Sequence, residues 1–169
     1  MNTTRRRVAQ LVTALAIVAG LGVATAGTAA AANVGEWACN YDSSRNTCLY
    51  IANLGDHRYA VHVGIDVHMS QQDAQNIVDS GFVPWADLWG DDGSAGVGSH
   101  GYLTSIPITG IWANSGGLSA EFDIQVGQEL LNEDKNKNDA DEIVAFVHRY
   151  DPSANRTYNY RSGEVISAF

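Results

Sequence analysis

Between Tyr59 and Met69 every second residue is apolar: Tyr59, Val61, Val63, Ile65, Val67 and Met69 alternate with Ala60, His62, Gly64, Asp66 and His68. A period of two sends successive side chains to opposite faces of an extended chain, so this segment predicts a strand with one face in a core. Immediately afterwards the pattern changes. Ser70-Gln71-Gln72-Asp73 has the form of a helix N-cap with an acid three positions on, and Met69 and Ala74 are spaced to make the hydrophobic staple. Gly81 supplies a stop, which predicts a short helix over 71–80 with Ala74, Ile77 and Val78 turned inward.

From Phe82 onward, strand-like runs are separated by clusters of Gly, Asn, Asp and Ser, giving expected strands at 83–89, 102–108, 118–131, 142–150 and 157–167. A further strand is expected at 49–54. The fold class that follows is mainly β: an antiparallel β-sandwich of about seven strands with one short helix, with a partly open β-barrel as the alternative. Trp85 and Trp89 share parity with Val83 and are expected in the core. Trp112, between Gly110 and the Asn114-Ser115-Gly116-Gly117 turn, is expected to be exposed.

The N-terminus is organised differently. Arg5-Arg6-Arg7 precedes an apolar and small-residue run from Val8 to Ala26, and an Ala-x-Ala site would cut before Asn33. This is the layout of a secretory signal peptide over 1–32, with a partial twin-arginine pattern at Thr4-Arg5-Arg6-Arg7-Val8. No later segment is long and apolar enough to span a bilayer, so a secreted, extracellular domain over 33–169 without a transmembrane anchor is expected. Removal of the leader leaves seven basic against nineteen acidic residues, a net charge of −12. Such an acidic domain does not seek nucleic acid or anionic lipid unaided. The two cysteines, Cys39 and Cys48, are expected to form a disulfide in an oxidising destination.

Chemistry concentrates in one stretch, 132–142, where eight side chains carry oxygen between two apolar runs. Crowded carboxylates and amide carbonyls repel one another unless a cation sits among them, and hard oxygen ligands suit calcium. In an antiparallel arrangement, connections fall alternately at the two ends of the sandwich. This expectation brings the Gly90-Asp91-Asp92-Gly93 loop to the same end as the 132–141 loop. Calcium ligands are therefore sought among Asp91, Asp92, Asp134, Asn136, Asn138, Asp139 and Asp141. Asp134-x-Asn136-x-Asn138 matches the first ligand positions of an EF-hand, but Asp139 stands where glycine is needed and Ala145 where a bidentate Glu is needed. An EF-hand is excluded, and a two-loop site is the expectation.

Val67-His68-Met69-Ser70 with Ala74-Gln75, then Leu88-Trp89-Gly90-Asp91-Asp92, then Leu131-Asn132-Glu133-Asp134 and Asp141-Glu142-Ile143, resembles a group of small secreted bacterial proteins. That resemblance spans most of 33–169 and implies export without implying an activity. In its acidic loops the chain is also similar to C2-type and lipoxygenase-homology sandwiches, which implies calcium at one end of the fold.

Other side chains offer weaker chemistry. His62, Asp66 and His68 share the polar face of the first strand, with Asp66 about 7 Å from His68 and about 13 Å from His62. That spacing suits a general acid-base pair or part of a zinc site, and makes a small extracellular hydrolase one alternative. An exposed 110–117 loop entering a protease cleft is another. Exposed Trp112 suits stacking on a sugar ring. Tyr158 and Tyr160 with Arg156 predict a cation-aromatic cluster on one sheet face. No phosphate-binding glycine loop, serine-nucleophile elbow or His-Glu-x-x-His motif is present. The leading expectation is a secreted, non-catalytic, calcium-binding monomer that bridges to a surface glycan, a cell-wall polymer, a lipid headgroup or a protein partner.

Overall fold

In the computed structural model, residues 33–91, 100–132 and 140–169 are described. The signal-peptide reading falls on residues outside these. Among the described residues the chain runs β1 (Trp37–Asp42), β2 (Arg45–Gly55), β3 (Arg58–His68), α1 (Gln71–Asp79), β4 (Trp85–Asp91), β5 (His100–Ile106), β6 (Ile108–Asn114), β7 (Gly117–Gly127), α2 (Gln128–Leu131), β8 (Asp141–Asp151) and β9 (Arg156–Ser167). Two antiparallel sheets result, one in the order β1-β2-β3-β7-β6 and the other in the order β5-β4-β8-β9. This is a β-sandwich, and nine strands stand where about seven were expected.

The alternation in β3 does what period two requires. Tyr59, Val61, Val63, Ile65 and Val67 are buried, and they face Leu118, Ala120 and Phe122 of neighbouring β7 across the same inner surface. The second sheet answers with Ala86, Leu88, Ile143, Ala145, Val147 and Val165, all fully buried. Each of the larger aliphatic side chains here contributes about 1.5–3 kcal/mol relative to exposure. Residues of opposite parity face solvent on the outer surfaces, and every candidate site lies there or at the strand ends.

α1 forms where its cap signals place it. The Ser70 hydroxyl accepts from the Asp73 amide at 3.1 Å and donates to the Asp73 carboxylate at 2.6 Å, satisfying an otherwise orphaned helix donor. Gly81 follows in the left-handed region, as the stop required. Ala74 is buried, Ile77 and Val78 are half-buried against the core, and the helix packs on β6 and β7.

Four sequence expectations are corrected. Trp85 and Trp89 are not on the inner face of β4: Ala86 and Leu88 are, and Trp85 is 43 % exposed. Val83 lies before the strand begins, so its parity with Trp85 carries no information about which face points inward. The expected strand 118–131 ends at Gly127, and Gln128–Leu131 is a helical turn that buries Leu131. The expected 110–117 loop is most of strand β6 and its tight turn into β7, so it does not project as an inhibitory loop would. Finally β1 is an additional strand, held beside β2 by the Cys39–Cys48 disulfide between directly paired residues.

Two seams join the sheets. Pro107 alone separates β5, an edge of the four-stranded sheet, from β6, an edge of the five-stranded one. On the other side β9 packs on β1 and β2, and a Cβ at Gly163 would come within 2.7 Å of the backbone of Ala38 and Cys39. Glycine at 163 is what lets these two backbones touch.

Candidate functional site

β4 and β8 are antiparallel neighbours with Gly90 opposite Ile143, so the end of β4 and the start of β8 lie side by side. Asp91 and Asp141 occupy these positions and are only 8 % and 3 % exposed. The segments 92–99 and 133–139 therefore attach to adjacent strands at one end of one sheet. Burying a carboxylate is costly without positive charge or hydrogen bonds. For Asp91 the Arg161 guanidinium supplies both, with Nη2 2.7 Å from Oδ2, and the same nitrogen lies 3.9 Å from Glu164. One oxygen of Asp91 is thus already engaged. Asp92, Asp134, Asn136, Asn138 and Asp139 lie outside the described residues. Among the described residues no group of three His, Cys, Asp or Glu is arranged to hold a metal. Two buried hard-oxygen groups are nevertheless the donor type that calcium takes.

The second constellation is the outer face of the five-stranded sheet. His62, Asp66 and His68 do not converge there, because each is tied to a different neighbour. His62 Nδ1 is 2.7 Å from Asp123, Asp66 accepts from the Ser119 hydroxyl at 2.6 Å, and His68 Nδ1 lies 3.0 Å from the carbonyl of Ser43. Strand register explains the division. His62 stands opposite Asp123 and Asp66 opposite Ser119, whereas Gly64 separates them on β3. Trp37 packs edge-on against His62 at 5.5 Å, and Asn114 donates to Ser119 at 2.8 Å.

Burial pushes the Asp123 carboxyl up, but hydrogen bonds from Thr109 and His62 and the charge of His62 more than offset this, leaving it below its ordinary 3.8. Since the folded group is the stronger acid, the unfolded chain takes up the extra proton. The stabilisation is complete above 3.8 and is lost as pH falls from there through the folded value. Melting midpoints should therefore fall less steeply for Asp123→Asn than for the parent between about pH 5 and about pH 2. Parallel curves would show that this carboxylate carries no acid sensitivity.

A third set crosses the outer face of the four-stranded sheet. Ser105 donates to Asp87 at 2.7 Å, Asp87 Oδ2 lies 3.3 Å from His148 Nε2, and His148 Nδ1 is 2.8 Å from Asn159 Oδ1. Trp85 stacks on the imidazole at 5.1 Å. The serine meets the carboxylate and not the histidine, which is the wrong order for activating a nucleophile. The expected cation-aromatic cluster is present near the same sheet, with Arg156 and Arg149 at 4.9 Å and 4.7 Å from the Tyr158 ring.

No known protein family, no curated protein and no solved structure matches this chain. Sequence reasoning found the polar face of β3 but missed Asp123, Ser119 and Glu121 as its partners. The alternation of Glu121, Asp123 and Gln125 in β7 was the available signal, but only the β3–β7 register assigns each to a neighbour.

Proposed function

We propose that this chain is a secreted, non-catalytic domain that binds calcium between the segment leaving β4 and the segment entering β8. The observation that carries this reading is the burial of Asp91 and Asp141 at adjacent strand ends, where two acidic, glycine- and asparagine-containing segments are rooted side by side. No single segment then has to furnish all six to eight oxygen ligands. Asp134, Asn136, Asn138 and Asp139 complete the set from one side, and Asp92 joins Asp91 from the other. The activity is coordination: calcium fastens the two segments together and presents its remaining coordination positions to an extracellular partner, such as a glycan, a cell-wall polymer or a lipid headgroup. Among the described residues, no helix is long and apolar enough to cross a membrane.

Thermal unfolding in EDTA and then in millimolar calcium tests the reading. Binding to the native state alone should add about 2.7 kcal/mol at a hundredfold excess over the dissociation constant. Asp134→Ala should abolish the gain. An unchanged midpoint on adding calcium to the parent protein rejects the site.

A further inference from the structure

A shallow trough crosses the outer face of the five-stranded sheet at right angles to the strands. Its floor follows one row of the register, in which Cys48 stands opposite Gly64, Gly64 opposite Glu121, and Glu121 opposite Gly110. Gly64 raises no side chain, so the row is low there, and the Trp112 ring covers Gly110 at its end. The wall on one side is Trp37, Tyr50 and His62, and on the other Asn46, Asp66, Ser119 and Trp112. The cavity between them measures about 210 Å³ and is lined by both tryptophans. The five strands carry it roughly 19 Å from edge to edge at about 4.8 Å per strand.

We infer that this trough binds a neutral oligosaccharide. Trp37 and Trp112, on the two edge strands, are 55 % and 40 % exposed. Trp112 reaches over Gly110, where a Cβ would come 2.9 Å from its Cζ3, so the missing side chain makes room for the indole on the sheet. Trp37 is steadied by Tyr50, with ring centroids 4.9 Å apart. Rigid aromatic faces at both ends offer the apolar surface on which the C–H face of a pyranose stacks. Between them stand an amide, an imidazole, a hydroxyl and carboxylates, which supply both donors and acceptors for sugar hydroxyls.

Charge selects among ligands. Among the described residues no Lys or Arg lines the trough, so an anionic polymer would meet carboxylates without compensation there. A cationic ligand would need several carboxylates free to converge on it. Asp123 is instead engaged by His62 and Thr109, and Asp66 by Ser119, which leaves Glu121 as the acceptor outside these bonds. An uncharged ligand with many hydroxyls and flat apolar faces fits what remains. The inference rests on the bridging part of the function proposed above, for which it names the partner class and the surface, and it does not draw on the calcium part.

The test is a neutral-glycan array probed with the purified protein in EDTA, followed by tryptophan-fluorescence titration with the strongest glycan and, separately, with tetralysine. Binding in EDTA is expected, with Trp37→Ala and Trp112→Ala each weakening it at least about tenfold. Gly64→Val is the decisive variant. A Cβ at Gly64 meets only His62 Nε2, at 3.7 Å, so the strand accepts it while the floor fills. Its melting point should match the parent and its glycan binding should be lost. No retained glycan, binding that survives Gly64→Val, or binding of tetralysine alone would each overturn the inference. Glycan binding in EDTA combined with a calcium-insensitive melting point would leave this inference standing and reject the calcium site.

Discussion

Gly117→Ala is expected to destabilise the fold by roughly 3–5 kcal/mol, the sum of a strained backbone and an overpacked contact. Gly117 has φ of +131°, a conformation that side chains rarely adopt, and it sits where β6 turns into β7. The added Cβ would lie 2.1 Å from the carbonyl oxygen of Val67 and 2.8 Å from the amide nitrogen of Met69. Both are backbone atoms at the end of β3, so neither can swing aside, and relief requires parting β3 from β7. Gly116, one residue earlier, is the internal control. Its Cβ would meet only the Asn114 side chain at 3.1 Å, and Gly116→Ala should cost less than about 1 kcal/mol. Urea denaturation of both variants checks the pair. Equal midpoints would mean that the turn is not built as described.

Phe122→Ala should cost about 3–5 kcal/mol through lost transfer energy and the cavity left behind. Phe122 is fully buried on β7, with Val63 of β3 on one side and Ile108 of β6 on the other. Its neighbours are strands fixed by ladder hydrogen bonds, so the space cannot collapse easily. Trp112→Ala removes a larger side chain from the outer face of the same sheet and should change stability by less than about 1 kcal/mol. Denaturant midpoints of the two variants, measured at equal slope, separate inner from outer faces. A Phe122→Ala protein as stable as the parent would contradict the sandwich core.

The sequence made β3 and α1 legible because each carries a redundant signal. In β3 five inward residues repeat at period two, and in α1 the Ser70 cap, the Asp73 partner and the Gly81 stop agree. β4 was ambiguous for a physical reason: Trp85 and Trp89 on one parity and Ala86 and Leu88 on the other are all apolar. The structure gives the inner face to the small pair, opposite Val147 and Ala145 on β8, and leaves the indoles to pack outside on His148, Tyr102 and Phe146. β6 was hidden by Gly110, which reads as a loop residue in one dimension but makes room for the Trp112 ring in three.

The candidate sites were legible only as far as residue type goes. The acidic character around Asp91 and Asp141 needs no structure to see, but the burial of both carboxylates and the Arg161 partner of Asp91 arise from pairing between strands distant in sequence. Likewise, His62 and Asp66 invite a catalytic reading when viewed along β3 alone. Across the sheet they belong to separate bonds, one to Asp123 and one to Ser119. Cross-strand register is not encoded in local spacing, and it decides which polar groups meet.

Sheet edges are where a second chain can add itself, since an edge strand presents unpaired amides and carbonyls. A sandwich ordinarily has four such edges. In this one β5 and β6 run into each other through Pro107, which has no amide hydrogen to offer, and β9 rests against β1 at Gly163. At the second of these, β9 and β1 shelter each other. Strand addition at either of these two edges must therefore begin with β9 lifting from β1, which ties the protection of both to the absence of a side chain at position 163.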